Sequence, residues 1–227
     1  MSTPAKILDL RRLLAERMPS ARLGIAAPAP VALLPTGLPG LDAALGGGLP
    51  AGETVEVVGE GAGSGTAQVL HALLGRCAAD GRFLALVDGA DSFDADAVEP
   101  AVLARLLWAR CRTVDESLQA ADILLRDSNF PLVVLDLKLN PPAQLRRISG
   151  SVWHRFGRLQ EPHRTTLLVI TSQPLVGGAS VRVRCAWKPD VAAVSRPPEA
   201  SFDGLRFEVL RQVSAAAAGA EPVARMG

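Results

Sequence analysis

Short apolar runs alternate with stretches of helical periodicity along most of the chain. Runs rich in β-branched and aliphatic residues predict strands at residues 54–58, 83–87, 132–135 and 166–170. Between them, apolar residues recur at helical spacing, and the predicted helices cover residues 66–78, 98–111, 116–126 and 142–159. Because strands that alternate with helices form a parallel sheet covered on both faces, the pattern predicts an α/β fold with a mostly parallel central sheet flanked by helices.

Both ends of the chain depart from this alternation. Residues 181–187 and 205–210 predict two more strands, at a more antiparallel edge of the sheet. Near the amino terminus, Leu10, Leu13 and Leu14 share the apolar face of an amphipathic helix, which either the protein's own core or a neighbouring chain must cover. The chain therefore divides into four predicted segments: an amphipathic helix at 1–20, a Pro- and Ala-rich linker at 21–34, a core domain at 35–213 and a disordered tail at 214–227.

The composition fits one soluble domain. The chain has 227 residues, of which 48% are apolar and 4% aromatic, so a core built mainly from Leu, Val and Ala is expected. No apolar run approaches the roughly 20 residues of a membrane helix, and the first residues lack the pattern of a secretory signal. A cytoplasmic location is expected. The three cysteines are far apart, so no metal site is predicted.

A glycine-rich loop follows the first predicted strand of the core. Residues 59–66 read Gly-Glu-Gly-Ala-Gly-Ser-Gly-Thr, whereas a phosphate-binding loop reads G-x-x-x-x-G-K-[ST]. Ser64 stands at the second glycine position and Gly65 at the lysine position. Only Lys6, Lys138 and Lys188 are lysines, and residues 31–100 hold two basic and ten acidic side chains. The sequence therefore predicts a loop shaped for phosphate but without its cation.

The stretch before this loop resembles a known family. Residues 35–52, Pro-Thr-Gly-Leu-Pro-Gly-Leu-Asp-Ala-Ala-Leu-Gly-Gly-Gly-Leu-Pro-Ala-Gly, are similar to the approach to the phosphate loop in RecA-like ATPases. The resemblance continues through residues 83–94, 131–136 and 171–173. The short length, the amphipathic amino-terminal helix and the degenerate loop are most similar to the ImuA family, accessory proteins of damage-induced translesion DNA synthesis. This resemblance implies a RecA-like core.

The resemblance also assigns roles to single residues. Asp136 matches the acid that helps to hold magnesium, and Gln173 matches the glutamine that senses the γ-phosphate. Ala90 stands where the catalytic glutamate is expected, two residues beyond Asp88, and the second DNA-binding loop after Gln173 is nearly deleted. The predicted remnant of the nucleotide site comprises Gly59, Gly61, Gly63, Ser64, Gly65, Thr66, Asp136 and Gln173. No catalytic residue and no cofactor are expected, and ATP with magnesium would bind only weakly.

The basic side chains in the second half of the chain, on one predicted helix and one predicted strand, have two alternative interpretations. The helix predicted at 142–159 either covers the sheet with a solvated basic face or contacts DNA phosphates or an acidic partner. The predicted contact residues are Leu10, Leu13, Leu14, Arg146, Arg147, Trp153, Arg155 and Arg158. Arg182, Arg184 and Lys188 alternate along one predicted strand and would extend such a patch.

The resemblance implies a non-catalytic adaptor in SOS-induced translesion synthesis and mutagenesis. Its expected partners are a Y-family polymerase-like protein and a replicative-type translesion polymerase, with RecA as a further candidate. Contact with DNA is expected to be indirect or weak, and none with a membrane is expected. The alternatives are a divergent ATPase acting on single-stranded DNA, and a cell-division or DNA-binding regulator on the same fold.

Overall fold

A computed structural model describes residues 32–188, 202 and 204–213. The strands of this part are β1 (Leu33–Leu34), β2 (Leu49–Pro50), β3 (Thr54–Val58), β4 (Leu84–Asp88), β5 (Leu106–Arg110), β6 (Leu132–Asp136), β7 (Thr166–Thr171), β8 (Val181–Trp187) and β9 (Leu205–Gln212). The helices are α1 (Pro39–Leu45), α2 (Thr66–Ala79), α3 (Pro100–Leu103), α4 (Val114–Leu124), α5 (Pro142–Leu145) and α6 (Gly150–Gln160). The predicted amino-terminal helix and carboxy-terminal tail lie outside the described residues, whereas Leu33–Leu34 of the predicted linker form β1.

A seven-stranded sheet organises the domain, in the order β5-β4-β6-β7-β3-β8-β9. All neighbours pair in parallel except β8 and β9, which pair antiparallel. The predicted mostly parallel α/β sheet is confirmed. The predicted antiparallel edge is also confirmed, because β8 runs parallel to β3 and β9 reverses direction to pair with β8.

The central strands are buried on both faces, so alternate side chains enter two separate cores. On β6, Leu132 and Val134 pack with α1 and α2, while Val133 and Leu135 pack with α4 and α6. This burial explains why these strands read as continuous apolar runs. Within the described part of the chain, no helix has the length and apolar character needed to span a membrane.

Residues 98–111 were predicted as helical, and most of this prediction is wrong. Only Pro100–Leu103 form a short helix, and Leu106–Arg110 form the edge strand β5, which pairs with β4. In β5, Leu106 and Trp108 pack against one core and Ala109 against the other, which is the period of two typical of a strand. Over so short a run, this period cannot be told from helical spacing in the sequence.

The single helix predicted at 142–159 is two helices. The first, α5, ends at Leu145, and a turn leads to Ser149, whose hydroxyl accepts a hydrogen bond from the backbone N–H of Ser151 at 3.3 Å. This bond caps α6 and sets a new helix axis. The apolar stripe continues across the break, with Leu145 and Phe156 both buried, which is why the sequence pattern concealed it.

A buried carboxylate ties three parts of the sheet together. Glu56 on β3 is completely buried, and Arg182 Nε on β8 donates to it at 2.5 Å. The same carboxylate accepts hydrogen bonds from the backbone N–H groups of Leu175 and Val176 and from the Thr171 hydroxyl. Since every donor lies outside β3, Glu56 fastens the segment after β7 and the strand β8 to the centre of the sheet.

Removing this carboxylate should destabilise the whole domain. Glu56→Ala leaves the guanidinium of Arg182 and two amides without their acceptor, so we expect a loss of about 3 kcal/mol or more in the free energy of unfolding. Glu208→Ala is the matched control, because Glu208 also pairs with an arginine but is 64% exposed, and its loss should be below about 1 kcal/mol. Urea unfolding measures both, and similar losses would contradict the role of Glu56.

Candidate functional site

The carboxyl ends of four parallel strands place the predicted site residues at one edge of the sheet. The glycine-rich loop follows β3, Asp88 ends β4, Asp136 ends β6, and Gln173 follows β7. Ligands of open α/β sheets bind at this edge. The structure therefore brings the predicted loop and the predicted acid together, and it also brings in a lysine that sequence reasoning had not placed there.

The glycine-rich loop closes tightly onto the start of α2. Gly59 donates its backbone N–H to the carbonyl of Thr171 at 2.8 Å, and a Cβ at Gly59 would overlap the side chains of Ser64 and Thr66. Gly65 adopts a left-handed conformation with φ of 89° and precedes the first helical residue, Thr66. The strand, loop and helix of a phosphate-binding unit are thus all present.

The edge of the sheet packs closely against Gly65, which stands at the lysine position of the loop pattern. A Cβ at Gly65 would overlap the Leu205 side chain and would come within 2.9 Å of Trp187 Cβ. The thiol of Cys185 also reaches the loop and donates to the carbonyl of Ser64 at 3.3 Å. Residues from β8 and β9 therefore occupy the space that a side chain at position 65 would need.

A lysine from another part of the chain reaches the same loop. The ammonium group of Lys138, two residues after β6, donates to the hydroxyls of Ser64 at 2.5 Å and of Thr66 at 3.0 Å. The expectation that the loop lacks a cation is therefore wrong. Sequence reasoning missed Lys138 because 72 residues separate it from Thr66, and only the parallel pairing of strands brings the two together.

Asp136 lies beside this ammonium group. The pKa of the Asp136 carboxyl is raised to about 6, chiefly by burial and also by the charge of the nearby Asp88, while Lys138 opposes both through its backbone N–H and its charge. Burial also lowers the pKa of the Lys138 ammonium group, while the charge of Asp136 raises it. A lysine and a carboxylate thus share the place where a phosphate-binding site holds magnesium.

The other two acids near this edge, Asp88 and Asp91, are paired with groups of the following loop and of β5. Asp88 accepts hydrogen bonds from the backbone N–H groups of Ser92 and Phe93 and from Trp108 Nε1. Asp91 pairs with Arg110 at 2.6 Å, and this pairing lowers the pKa of Asp91. Both carboxylates serve as acceptors within the chain, so neither lies ready as a general base.

The segment that follows Gln173 is short and fixed. Leu175 and Val176 donate their backbone N–H groups to the buried Glu56, and Arg182 Nη2 donates to the carbonyl of Val176 at 2.8 Å. Gln173 itself is half-buried. A residue that reports on a bound phosphate needs a mobile segment to act on, and here that segment is bonded to the sheet.

Comparison with known proteins agrees with this geometry. The family model for the RecA N-terminal domain matches residues 18–150, more than half of the chain. The chain belongs to this family. Protein RecA of Clavibacter michiganensis subsp. michiganensis is 37% identical over 118 residues, which cover 51% of this chain and 32% of that protein. Protein RecA of Mycobacterium bovis is 36% identical over 134 residues, which cover 57% of this chain and 17% of that protein.

A solved structure shares the fold of this chain. The crystal structure of the RadB recombinase matches with a TM-score of 0.57 and 22% identity, covering 70% of this chain and 85% of that one. The RecA-like α/β core expected from the sequence is confirmed. The chain spans about a third or less of the length of the curated RecA proteins that it matches.

The loop of this RecA-family domain does not fit magnesium and ATP in the family's usual manner. Leu205 and Trp187 fill the lysine position, and the Thr66 hydroxyl that would hold magnesium accepts a hydrogen bond from Lys138. Within the chain, the hydroxyls of Ser64 and Thr66 are paired with Lys138, and the carbonyl of Ser64 is paired with the Cys185 thiol.

The predicted contact residues of α6 and of the turn before it differ in their exposure and pairing. Arg146, Arg147 and Arg158 are exposed, and Arg155 is exposed but pairs with Asp122 at 2.7 Å. The prediction that Trp153 anchors a partner is wrong, because its side chain is 6% exposed and its ring packs edge-on against a second core ring. The face that carries Trp153 binds the protein's own sheet.

The predicted basic strand face is also neutralised. Arg182 pairs with the buried Glu56, and Arg184 pairs with Glu60 at 3.2 Å and with Glu208 at 2.6 Å. The predicted extension of the basic patch along β8 is therefore wrong for these two arginines. Leu10, Leu13 and Leu14 lie outside the described residues.

The raised pKa of Asp136 predicts a pH-dependent stability. An unfolded aspartate titrates near 3.9, so the native state holds this proton more tightly, and the resulting stabilisation is complete below about pH 4 and lost as the pH rises through about 6. Asp136→Asn cannot ionise. Relative to the original protein, it should gain about 2–3 kcal/mol of unfolding free energy as the pH rises from 4 to 7.

Urea unfolding at several pH values measures this gain. Glu53→Gln is the control, because Glu53 is exposed at the opposite end of β3, and its effect should not change with pH over the same range. A gain for Asp136→Asn that stays constant with pH would contradict the raised pKa of Asp136.

Proposed function

We propose that this chain is a non-catalytic adaptor of the RecA family that recruits or regulates a polymerase complex in damage-induced translesion DNA synthesis. The observation that carries the non-catalytic part is the space at Gly65, which Leu205 and Trp187 occupy in place of the phosphate-loop lysine. A RecA-like fold thus persists with a left-handed glycine, closely packed by the edge of the sheet, in place of the lysine for the β- and γ-phosphates.

Two further features support the absence of turnover. Ala90 stands where the resemblance places a catalytic glutamate, and the nearby Asp88 and Asp91 are bound to groups of their own loop. The segment after Gln173, where the resemblance places a DNA-binding loop, is short and bonded to Glu56. Each feature removes a different part of an ATP-driven cycle on DNA, so together they favour a scaffold.

The pathway is inferred from the resemblance to ImuA proteins. We propose a Y-family polymerase-like protein and a replicative-type translesion polymerase as partners, with RecA as a further one, in the cytoplasm. The resemblance rests on the features named above, which include the amphipathic helix predicted at residues 1–20 and the degenerate loop. The exposed Arg146, Arg147 and Arg158 offer an acidic partner or DNA phosphates a basic surface beside α6.

A second candidate function is ATP-driven action on single-stranded DNA. One observation favours it: the Lys138 ammonium group reaches the hydroxyls of Ser64 and Thr66 and so places a positive charge at the loop. This reading requires the lysine to move from the hydroxyls to a phosphate. The adaptor is the better proposal, because the packing at Gly65 would still oppose the loop opening that such a ligand needs.

Partner capture tests the adaptor role. If the apolar face of the amino-terminal helix is the docking element, Leu10→Asp with Leu13→Asp should reduce co-purification of the polymerase-like partner at least about tenfold, since burying two carboxylates in an apolar contact is strongly unfavourable. The unfolding curve of the isolated protein should not change.

The control keeps the charge change and spares the apolar face. Arg11→Ser with Arg12→Ser alters the net charge by the same amount, and co-purification should persist. Full co-purification by the Leu10 and Leu13 variant would eliminate this docking element. No co-purification of a polymerase-like protein by the unmodified chain would eliminate the adaptor role.

A further inference from the structure

We propose that the ammonium group of Lys138 takes the place of the magnesium ion in this loop, so that the loop is closed and ordered by a cation of its own chain and without a nucleotide. The inference goes beyond the proposed function, because it concerns the state of the loop and holds whichever partner the protein binds. It assigns to Lys138 a role that neither the loop pattern nor the family relationship supplies.

The ammonium group of Lys138 contacts one of the groups that would hold a magnesium ion, and the backbone of Lys138 contacts the other. In phosphate-binding loops the hydroxyl at the helix start holds magnesium, and the acid at a neighbouring strand end helps to hold it. Here the Thr66 hydroxyl accepts from Lys138 Nζ at 3.0 Å, and the backbone N–H of Lys138 donates to Asp136 Oδ1 at 3.0 Å. The second bond shapes the turn after β6 that carries the lysine back towards the loop.

The charge at this edge of the sheet requires a cation. Asp88 and Asp136 are the paired end residues of neighbouring strands, and the charge of Asp88 raises the pKa of the Asp136 carboxyl. Lys138 supplies a positive charge to this acidic edge, and its contact with the Ser64 hydroxyl at 2.5 Å places that charge at the loop. A metal ion would have to displace an ammonium group that is covalently fixed beside its acceptors.

Other groups of the chain close the loop from further sides. Leu205 and Trp187 fill the space at Gly65, and the Cys185 thiol donates to the carbonyl of Ser64. Arg184 on β8 donates to Glu60 within the loop at 3.2 Å. The lysine position and the magnesium position are thus both taken by residues of this chain, so a ligand would have to break several contacts at once.

Hydrogen exchange of the loop amides tests the inference on the full chain. In Lys138→Met, the hydroxyls of Ser64 and Thr66 lose their shared donor, and exchange of the amides in residues 59–66 should accelerate at least about tenfold. Added magnesium chloride should slow this exchange again, because the Thr66 hydroxyl and Asp136 become free to hold the ion. The unmodified protein should exchange at the same rate with and without magnesium and ATP.

Two variants control this experiment. Lys188→Met removes an exposed lysine outside the loop and should leave loop exchange unchanged. Lys138→Arg keeps the positive charge and should keep loop exchange within a few-fold of the unmodified protein, which provides a test if the methionine variant does not fold.

Three results would overturn the inference. Equal loop exchange in Lys138→Met and the unmodified protein would mean that the lysine does not hold the loop. Slower loop exchange of the unmodified protein with ATP, lost in the Lys138 variants, would make Lys138 a nucleotide-binding residue. Slower loop exchange of the unmodified protein with magnesium alone would mean that the ion, and not the lysine, occupies the magnesium position. None of these results concerns partner capture, so they are distinguishable from a failure of the adaptor role.

Discussion

The contact between the Lys138 ammonium group and the hydroxyls of Ser64 and Thr66 joins the two halves of the site. It links the loop after β3 to the turn after β6, across the intervening strand β7. Asp88 and Asp136 end neighbouring strands, and the charge of Asp88 raises the pKa of the Asp136 carboxyl while the charge of Lys138 opposes this. The geometry of a RecA-like sheet makes this juxtaposition unavoidable, since parallel strands present their carboxyl ends at one edge.

The loop and the segment after β7 are both held by internal partners. The edge strands β8 and β9 pack Trp187 and Leu205 against Gly65, and the buried Glu56 binds the backbone that follows Gln173. In an ATP-driven protein these are the parts that a nucleotide orders and releases. Here they are ordered by the chain itself. This arrangement is suited to a rigid surface that presents a binding face, and a rigid surface lowers the entropic cost of association.

Much of the fold could be predicted from the sequence because the central strands are buried on both faces. Residues 132–135 and 167–170 have no polar side chain to interrupt the apolar run, so these runs stand out. The edge strand β5 was missed because its five residues are only partly buried, and its period of two is too short to separate from a helix.

The loop pattern was predictable, but the groups that complete the site were not. The sequence itself shows that position 65 is a glycine and not a lysine. The groups that surround this glycine come from distant parts of the sequence. Lys138 lies 74 residues from Ser64, and Cys185 lies 121 residues from it. The buried position of Trp153 likewise follows from how α6 meets the sheet after the break at Ser149. Such contacts depend on strand order, which a periodic pattern does not encode.

The central claim is that this RecA-family domain is complete without a nucleotide. Calorimetric titration of magnesium ATP into the full chain, alone and with single-stranded DNA, followed by measurement of phosphate release from the same samples, tests it most directly. The account predicts no binding heat and no phosphate release in either condition. Saturable binding heat with turnover, above all if DNA increases it, would contradict the account and would identify a working ATPase.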